Sequence, residues 1–551
     1  MSKFSEQIFF TNFPNCGNIL IGFFVSYKIL VSQLKCFPNK EEKNKLLSII
    51  KSMTIVGING NLVFVQVDVS NGLPYFEIVG LPDTIVREAK ERVRIAIKNS
   101  GYDFFSKRIV VNMAPANIKK IGALFDLPIA IGILSSIGII RNKDFNDYVI
   151  IGELSLDGKI KKVREALAIC IELKRQGIYN IIIPKENENE VKFVNGIDIY
   201  IASNLKEVVE FFNREKELKK VKILDYNKFT NDKNYNMDFS EVFGQEQAKR
   251  ALEIAIAGGH NCLLTGSPGS GKTMLAQRVK TILPDLTLEE ALEVTKINSL
   301  YGEDSKEIIF ERPFRSPHYT ISEKGLIGGG DFPKPGEVTL ANSGILFLDE
   351  LTEYKSNVLE MLRTPLEDKE ITISRVKAKI TYPADFILIA AMNPCSCGYY
   401  GSLLRKCTCS ERSRKRYVEK ISGPLLDRFD LFVEVTSIEY SEFKKENKES
   451  VSEKIKRSVI QARNIQKERY EKYDINLNSE LQNSYIKEFC KLDLKSQELL
   501  DKFYVKAKIS ARAYNKIIKV ARTIADLELK ENIEPRHIAE AIQYRKKEEK
   551  L

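Results

Sequence analysis

A glycine-rich loop after an apolar run constrains the fold of this chain more than any other part of its sequence. Residues 262–265 read CLLT, and residues 266–273 follow directly with GSPGSGKT. The second segment fits G-x-x-x-x-G-K-[ST] at every position, and a helix-forming stretch, MLAQRV, comes after it. Loops of this kind join a parallel strand to a helix, and their backbone N–H groups close around phosphate oxygens. The sequence therefore predicts a parallel α/β core that binds a nucleotide.

The positions of this loop have distinct predicted roles. Lys272 is predicted to reach the β- and γ-phosphates, and the Thr273 hydroxyl to bind Mg²⁺. The start of the helix adds favourable partial positive charge. The predicted cofactors are accordingly ATP and Mg²⁺. The predicted nucleotide-binding residues are Gly266, Ser267, Pro268, Gly269, Ser270, Gly271, Lys272 and Thr273, together with Asp349 from the next motif.

Two further apolar runs end in polar side chains that suit hydrolysis. Residues 344–350, GILFLDE, end in Asp349 and Glu350, and residues 386–394, FILIAAMNP, carry Asn393. Asp349 is predicted to bind Mg²⁺, and Glu350 to be the base that polarises the attacking water. Asn393 is suited to orient that water or to contact the γ-phosphate, although an asparagine at a strand end also starts turns. The order of the three strands favours the first interpretation.

Two arginines are candidates for stabilising a transferring phosphoryl group. Arg428 lies in SGPLLDRFD, residues 422–430, where an arginine would serve the active site of a neighbouring subunit. A surface salt bridge to Asp427 or Asp430 is the alternative, and the local sequence by itself favours it. Arg512 begins a predicted C-terminal helix, from which it would reach back to the phosphates. A solvated arginine is the alternative there.

The hydrophobic pattern divides the chain into segments of different character. Residues 54–69 alternate around Asn59-Gly60, which predicts a β-hairpin. From residue 239 apolar strands alternate with helices, as in a parallel sheet. We predict an N-terminal extension over 1–52, a mixed α/β domain over 53–212, a polar linker over 213–238, an α/β nucleotide domain over 239–437 and a helical domain over 438–551.

The composition limits the partners and the compartment. The formal net charge of +11 is compatible with a polyanionic partner. The nine cysteines show no disulfide framework, which predicts a reducing cytoplasm. The apolar run over 17–31 is interrupted by Lys28 and is shorter than the ~20 residues that a membrane-spanning helix needs. We therefore expect a cytoplasmic protein with no membrane association.

Four of the cysteines form two Cys-x-Cys pairs directly after Asn393. They are Cys395, Cys397, Cys407 and Cys409. Four thiolates suffice for a tetrahedral zinc site, although the gap inside each pair is tighter than the usual spacing. Reduced free thiols and a redox disulfide are the alternatives. The chain has only three histidines, which argues against a catalytic zinc.

Taken together, the motifs resemble the magnesium-chelatase-like AAA+ ATPases of the YifB/ComM type. The segments GSPGSGKT, GILFLDE, AAMNPCSCGYYG, SGPLLDRFD and ISARAYNKIIKVARTIADL carry the resemblance, as do FDLPIAIGIL and residues 67–102 near the N-terminus. It covers about residues 53–545. The resemblance implies a Lon-protease-like mixed α/β N-terminal domain, a P-loop AAA+ α/β core and a helical C-terminal lid. It also implies a homo-oligomeric ring, usually a hexamer, with ATP bound between subunits.

The resemblance assigns roles to several residues. Within it Asn393 resembles the first sensor, Arg428 an arginine finger that acts on the neighbouring subunit, and Arg512 the sensor of the lid. Residues 314–343 resemble an insert that projects into the ring pore, and residues 370–383 resemble a β-hairpin before the sensor strand. The hairpin carries three cations near its tip, which would contact nucleic-acid phosphates without reading sequence: Arg375, Lys377 and Lys379. A solvated hairpin is the alternative.

The resemblance to ComM-type members implies a DNA helicase that acts in branch migration during natural transformation. The alternatives are a motor subunit of a metal chelatase and a nucleotide-gated scaffold. A Lon-like protease needs a Ser-Lys dyad. In this chain Ala123 occupies the presumptive nucleophile position, and Leu167 lies near the lysine position. The N-terminal domain is therefore predicted to be a non-catalytic scaffold or a DNA-handling module.

Overall fold

Ten strands and five helices build the N-terminal part of the protein. The computed structural model describes residues 47–104, 107–142, 144–229, 235–302, 307–330, 333–375, 378–402, 405–436, 450–473 and 475–546. The strands are β1 (Leu47–Val56), β2 (Asn59–Ser70), β3 (Tyr75–Val79), β4 (Arg108–Ala114), β5 (Val149–Ile150), β6 (Glu153–Leu154), β7 (Ile160–Lys161), β8 (Asn180–Pro184), β9 (Asp198–Ala202) and β10 (Lys219–Lys220). The helices are α1 (Thr84–Asn99), α2 (Asp126–Ser136), α3 (Ala166–Arg175), α4 (Glu188–Val191) and α5 (Leu205–Phe212).

Eight of these strands form one mixed sheet in the order β10-β9-β8-β5-β1-β2-β4-β3. The strand β2 is antiparallel to β4, whereas β5, β8 and β9 pair in parallel. Helix α2 is apolar on all sides, and every one of its residues is buried. Gly132 lets α2 approach the sheet closely, because a Cβ there would come within 2.6 Å of Val67 Cγ2. This close contact packs α2 directly against the sheet in the N-terminal core.

Two boundaries differ from the sequence-based expectation. Strand β1 begins at Leu47, inside the predicted extension over 1–52, because Ile50 already buries its side chain in the core. The predicted hairpin forms, but its turn lies at Gly57-Ile58 instead of Asn59-Gly60. Gly57 has a φ of +66°, a left-handed conformation that glycine adopts without strain. The rest of the predicted extension, residues 1–46, lies outside the described residues.

The predicted linker over 213–238 is partly built into the fold. Its residues Lys219–Lys220 form the edge strand β10 against β9. Tyr226 is buried, stacks on Phe310 and donates a hydrogen bond to the Leu286 carbonyl oxygen at 3.0 Å. A polar, asparagine-rich composition predicted the segment as a free linker, and the few apolar residues within it anchor it instead.

Nine strands and nine helices follow up to residue 435. The strands are β11 (Cys262–Gly266), β12 (Phe314–Arg315), β13 (Gly328–Gly329), β14 (Lys334–Pro335), β15 (Ile345–Leu348), β16 (Glu370–Arg375), β17 (Ala378–Pro383), β18 (Ile387–Met392) and β19 (Leu431–Val435). The helices are α6 (Glu246–Gly258), α7 (Lys272–Arg278), α8 (Leu288–Tyr301), α9 (Glu323–Ile327), α10 (Glu337–Leu340), α11 (Ser356–Glu360), α12 (Arg363–Asp368), α13 (Glu411–Val418) and α14 (Gly423–Leu426).

The central sheet of this part is parallel, with strand order β12-β15-β18-β11-β19. Strand β18 is buried along its whole length, as expected for a strand with neighbours on both sides and helices on both faces. The predicted fold class is confirmed: a mixed α/β N-terminal part, a parallel α/β core and a helical C-terminal region.

The described part of the C-terminal region, residues 450–473 and 475–546, forms five helices: α15 (Val451–Tyr470), α16 (Asn483–Phe489), α17 (Leu494–Ala507), α18 (Ala511–Leu527) and α19 (Pro535–Lys546). The apolar faces of α15 and α18 share one core with the back of the parallel sheet. None of the helices in the described stretches combines the length and the apolar content that crossing a membrane would require.

Helix α8 joins the nucleotide core to the N-terminal part. Its residues Leu292 and Leu300 pack against the N-terminal core. Lys296 Nζ lies 2.7 Å from Glu172 Oε1 of α3, and the two side chains are only 9% and 3% exposed. Glu172 also accepts a hydrogen bond from the backbone N–H of Gly60 at 3.1 Å. A buried, hydrogen-bonded ion pair therefore sits at this junction.

Removing one partner of this pair should weaken the protein strongly. We expect Lys296→Ala to lower the free energy of unfolding by about 3 kcal/mol, because the buried Glu172 loses its near cation and keeps only Arg175 at 3.9 Å. The matched control is Lys502→Ala, whose partner Glu498 lies on an exposed helix face, with side-chain exposures of 77% and 70%. Urea unfolding of both variants measures the difference. Equal midpoints for the two would contradict a stabilising role for the buried pair.

Candidate functional site

The three polar motifs meet because their strands are in parallel register. Thr265 of β11 pairs with Met392 of β18, and Leu348 of β15 pairs with Ala390 of β18. The residues that follow the three strands therefore emerge at the same edge of the sheet. The phosphate loop, Gly266–Thr273, is thus brought beside Asp349 and Asn393.

The backbone of the phosphate loop needs glycine at defined positions. Gly269 and Gly271 have φ values of +77° and +92°. A Cβ on Gly266 would come within 2.3 Å of the Val435 carbonyl oxygen in β19. The loop is thereby held against the neighbouring strand with its backbone open to a ligand. Ser270 Oγ is buried and has no hydrogen-bond partner among the described residues, which fits a site built for an oxygen-rich group.

Lys272 is folded into the loop that it follows. Its ammonium donates to the carbonyl oxygens of Gly266 at 2.7 Å and Ser267 at 3.0 Å, and to Asn393 Oδ1 at 3.1 Å. Burial lowers the pKa of Lys272, and the nearby carboxylates of Asp349 and Glu350 raise it in part. A phosphate in the loop would supply the negative charge that this buried ammonium lacks. The predicted sensor, Asn393, is therefore hydrogen-bonded to Lys272, the predicted phosphate-binding lysine.

The predicted magnesium ligands are in direct contact. Thr273 Oγ1 donates to Asp349 Oδ2 at 2.7 Å, and the Glu350 backbone N–H donates to Asp349 Oδ1 at 2.9 Å. A hydroxyl and a carboxylate are hard oxygen ligands, and this pair fits a hydrated Mg²⁺ next to phosphates. Glu350 is exposed and has a φ of +52°, a strained conformation for a residue with a side chain. Such strain is concentrated at functional sites.

The two predicted arginines lie together on a different surface. Arg428 and Arg512 both line a cleft of about 840 Å³ whose described lining residues include none of the phosphate loop. Arg428 forms an ion pair with Glu367, and its Nε is buried without a hydrogen-bond partner. The sequence analysis gave a salt bridge to Asp427 or Asp430 as the alternative. That partner was wrong, since Arg428 pairs with Glu367.

The same cleft contains three lysines that the sequence analysis missed, Lys369, Lys516 and Lys519. Arg512, Lys516 and Lys519 recur at intervals of four and three residues, so they share one face of α18. Lys516 forms an ion pair with Asp430 at 3.0 Å and donates to the Asp427 carbonyl oxygen at 2.6 Å. Burial lowers the pKa of Lys516. The helical spacing of these cations is the signal that would have found Lys516 and Lys519, and Lys516 ties the lid helix to the Arg428 loop.

The hairpin β16–β17 has an apolar face and a polar face. Its buried residues are Ile371, Ile373, Ile380 and Tyr382, which pack against Val56 and Ile58 of the N-terminal turn and against Ile327. Arg375 and Lys379 are exposed. Arg375 pairs with Ala378, and Lys379 pairs with Ser374, so the two cations point to opposite faces of the hairpin. Lys377 lies outside the described residues.

The predicted insert touches this hairpin. Tyr382 Oη donates to the Pro333 carbonyl oxygen at 2.7 Å. A Cβ on Gly329 would lie 3.5 Å from Arg375 Nη2. The glycine-rich part of residues 314–343 therefore lies beside the basic hairpin.

The four predicted zinc ligands are brought together. The Sγ atoms of Cys395, Cys397, Cys407 and Cys409 all lie within 4.8 Å of one another. Hydrogen bonds from the backbone of Tyr399 and of Thr408 lower the pKa of the Cys397 thiol to about 5. The three other described cysteines that are unpaired, Cys170, Cys262 and Cys490, are buried in the cores.

The two positions that a Ser-Lys protease dyad would occupy, Ala123 and Leu167, have no reactive side chains. Ala123 begins a short 3₁₀ helix, and Leu167 is buried in α3. The lysine next to this site, Lys120, is buried and donates to the Pro115 carbonyl oxygen. These residues offer neither a nucleophile nor a free base for Ser-Lys chemistry.

Three family models match the chain in succession. "Subunit ChlI of Mg-chelatase" matches residues 65–187, "Magnesium chelatase, subunit ChlI" matches residues 238–443, and "Magnesium chelatase, subunit ChlI C-terminal" matches residues 449–545. The second match contains the phosphate loop, the acid pair and the cysteines. The third covers the lid helices.

Relatives of nearly equal extent are found among known proteins. The uncharacterized protein YifB of Escherichia coli is 42% identical over 501 residues, which cover 91% of this chain and 97% of that protein. The competence protein ComM of Haemophilus influenzae is 41% identical over 505 residues, with the same coverage of both chains. The magnesium-chelatase 38 kDa subunit of Cereibacter sphaeroides is 27% identical over 220 residues, 36% of this chain and 58% of that protein.

The chain shares its P-loop core with the AAA+ ATPases of the chelatase family, and with YifB and ComM it shares almost its whole length. This protein therefore belongs to the YifB/ComM-type family of magnesium-chelatase-like AAA+ proteins.

Proposed function

We propose that six copies of this chain form a ring that hydrolyses ATP. The ring binds and translocates DNA and drives branch migration. The observation that carries the proposal is the separation of the site into two halves. One half is the phosphate loop with Thr273, Asp349, Glu350 and Asn393. The other is the cleft with Arg428 and Arg512. A complete site then needs two subunits, and head-to-tail repetition of that contact closes a ring.

In the first half, the loop and Lys272 bind the phosphates of ATP. Magnesium bound through Thr273 and Asp349 neutralises charge on the phosphate oxygens. Glu350 lies at the exposed rim of the loop, where it polarises the attacking water. Asn393 already contacts Lys272 at 3.1 Å, so it holds the lysine in place and orients the water near the γ-phosphate.

In the second half, the neighbouring subunit supplies the arginines. Arg428 is held near the cleft by Glu367, and its buried Nε has no hydrogen-bond partner among the described residues. A γ-phosphate from the next subunit would contact the guanidinium of Arg428 and be stabilised as charge develops on it. Arg512 and Lys519 add positive charge to the same cleft, so the lid helix senses the nucleotide of the neighbour.

The DNA part of the proposal rests on the hairpin and on the similarity to ComM. Arg375 and Lys379 are exposed near the hairpin tip, and the chain carries a net positive charge. Contacts of this kind bind backbone phosphates without sequence preference. ComM is named a competence protein, and competence is the uptake of DNA. The chelatase alternative is supported by the three family models, whereas the 38 kDa subunit itself matches only 36% of the chain.

Hydrolysis should depend on Glu350 in a specific way. We expect Glu350→Gln to lower kcat by about 100-fold or more, because the base is lost, while ATP binding survives. Lys272→Ala should abolish ATP binding as well. Measurements of phosphate release and of ATP affinity separate the two effects. The control is Glu498→Gln on the exposed face of α17, which should behave like the unchanged protein. Normal turnover in Glu350→Gln would disprove the assignment of the base.

The arginine of the second half should act across the subunit boundary. Alone, Arg428→Ala and Glu350→Gln should both be nearly inactive, the first by about 10³-fold or more. In a one-to-one mixture about a quarter of the boundaries combine an intact Glu350 with an intact Arg428 from its neighbour. ATPase activity should therefore reappear on mixing. If mixed rings form, as light scattering and labelled subunits would report, and stay inactive, Arg428 acts within its own chain or not at all.

DNA should stimulate hydrolysis through the hairpin. We expect branched or single-stranded DNA to raise the ATPase rate, and the double variant Arg375→Ala/Lys379→Ala to weaken DNA binding equally for all sequences. The slope of log affinity against log salt should fall by about one for each lost phosphate contact. The control is Lys206→Ala/Lys502→Ala, which removes two exposed cations elsewhere. Absence of both binding and stimulation at low salt would contradict the DNA function and favour a chelatase subunit or a scaffold.

A further inference from the structure

The cysteine cluster has the dimensions of a single-metal site. The Sγ atoms of Cys395 and Cys397 are 3.4 Å apart, those of Cys395 and Cys407 3.7 Å, and those of Cys397 and Cys407 3.6 Å. A zinc ion with Zn–S bonds of about 2.3 Å holds its four sulfurs about 3.8 Å apart at the corners of a tetrahedron. A disulfide would need about 2.05 Å. These three separations match the edges of the tetrahedron, and the fourth sulfur, of Cys409, lies within 4.8 Å of the others. All four cysteines are free thiols, so no disulfide joins them.

The local backbone explains how two tight Cys-x-Cys pairs achieve this. Gly398 has a φ of +83°, and its N–H donates to the Cys395 carbonyl oxygen at 2.9 Å, so the chain turns directly after the first pair. In the second pair the Cys409 backbone N–H donates to Cys407 Sγ at 3.4 Å. In each pair, these hydrogen bonds turn the backbone back toward the cysteine sulfurs. Cys395 is fully buried and the other three are partly exposed, so the cluster lies close to the protein surface.

The surroundings carry the charge that a tetrathiolate needs. Four thiolates and one divalent ion leave a net charge of −2, which must be compensated. Arg414 Nη1 donates to the Cys409 carbonyl oxygen at 3.1 Å, and its guanidinium lies 4.2 Å from the centre of the Tyr400 ring. Arg405 lies over the ring of Tyr399 at 5.1 Å. One arginine before the second cysteine pair and one after it thus lie beside the cluster.

The cluster also touches each part of the candidate hydrolysis site. Cys395 follows Asn393 by two residues. Gly398 packs on the phosphate loop, since a Cβ there would come within 2.6 Å of Pro268 Cδ. Helix α13 starts directly after the second pair, and the hydroxyl of its Tyr417 is hydrogen-bonded to Thr352, two residues after Glu350. One ion would therefore tie together the segments of the sensor, the loop and the base.

We propose that Cys395, Cys397, Cys407 and Cys409 bind one structural Zn²⁺ per chain, and that this ion braces the phosphate loop through Gly398 and the base segment through Tyr417. All four positions of the tetrahedron are taken by thiolates, so the ion has no site for water or substrate and its role is structural. Its loss frees the loop over 395–409 from the sensor strand, and Pro268 loses the surface on which it rests.

Metal analysis of the full-length protein, purified without chelator and dialysed against Zn²⁺, tests the site directly. We expect about one zinc per chain in the unchanged protein and in the control Cys170→Ala, and less than about 0.1 in Cys407→Ser/Cys409→Ser. Replacement by Co²⁺ should give the absorption of a tetrahedral tetrathiolate. Zinc well below one per chain together with no Co²⁺ spectrum overturns the proposal, and so does iron in place of zinc. Neither readout needs ATPase activity or DNA.

A second measurement tests the brace and does not depend on a variant that folds. Chelation of zinc from the unchanged protein should raise hydrogen exchange over residues 266–273 and weaken ATP binding about tenfold or more. Both changes should reverse when Zn²⁺ is restored, and the exchange of α18 should stay constant. Unchanged exchange in the phosphate loop after complete removal of zinc overturns the brace. A failure of DNA to stimulate hydrolysis would leave both zinc measurements as they are, so the two proposals fail separately.

Discussion

The parallel register of three central strands is the constraint on which the rest of the structure depends. Thr265 beside Met392, and Leu348 beside Ala390, bring three carboxyl ends to one edge of the sheet. Each strand is followed by a polar part of the candidate site: the phosphate loop after β11, Asp349 after β15 and Asn393 after β18. These three parts must lie within a few ångströms of one another to act on one nucleotide. A shift of any strand by one residue would turn its end residue to the other face and separate Lys272 from Asn393.

The candidate site is held by contacts from loops that lie outside the sheet. The phosphate loop leans on Gly398 of the cysteine loop, and the segment after Glu350 is hydrogen-bonded to Tyr417. The Arg428 loop is tied to the lid by Lys516, whose ammonium reaches the carbonyl oxygen of Asp427. Each of these contacts joins segments far apart in the chain, and each connects the lid or the cysteine loop to one half of the site.

The N-terminal part packs on the nucleotide core through helix α8, through the hairpin β16–β17 and through an aromatic cluster in which Phe193 contacts Phe310. The buried pair of Lys296 and Glu172 fixes helix α8, and the turn at Gly57-Ile58 rests on the apolar face of the hairpin β16–β17. The described residues on the polar face of that hairpin include the exposed Thr372, Ser374 and Lys379. The domain with Ala123 in place of a nucleophile therefore packs under the apolar face of the hairpin and supports it.

The sequence by itself determined the local units: the phosphate loop, the acid pair, the sensor asparagine, the paired cysteines and the fold class. These depend on residues adjacent in the chain and on the rule that parallel strands end at one edge. Only the tertiary structure decided that Arg428 pairs with Glu367, that Arg512 joins Lys516 and Lys519 in a cleft lined by no part of the phosphate loop, and that Tyr226 anchors the predicted linker. The physical reason is the same in each case. A side chain's partner depends on how separate elements dock, and docking is set by the shapes of whole apolar faces, which no short stretch of sequence contains.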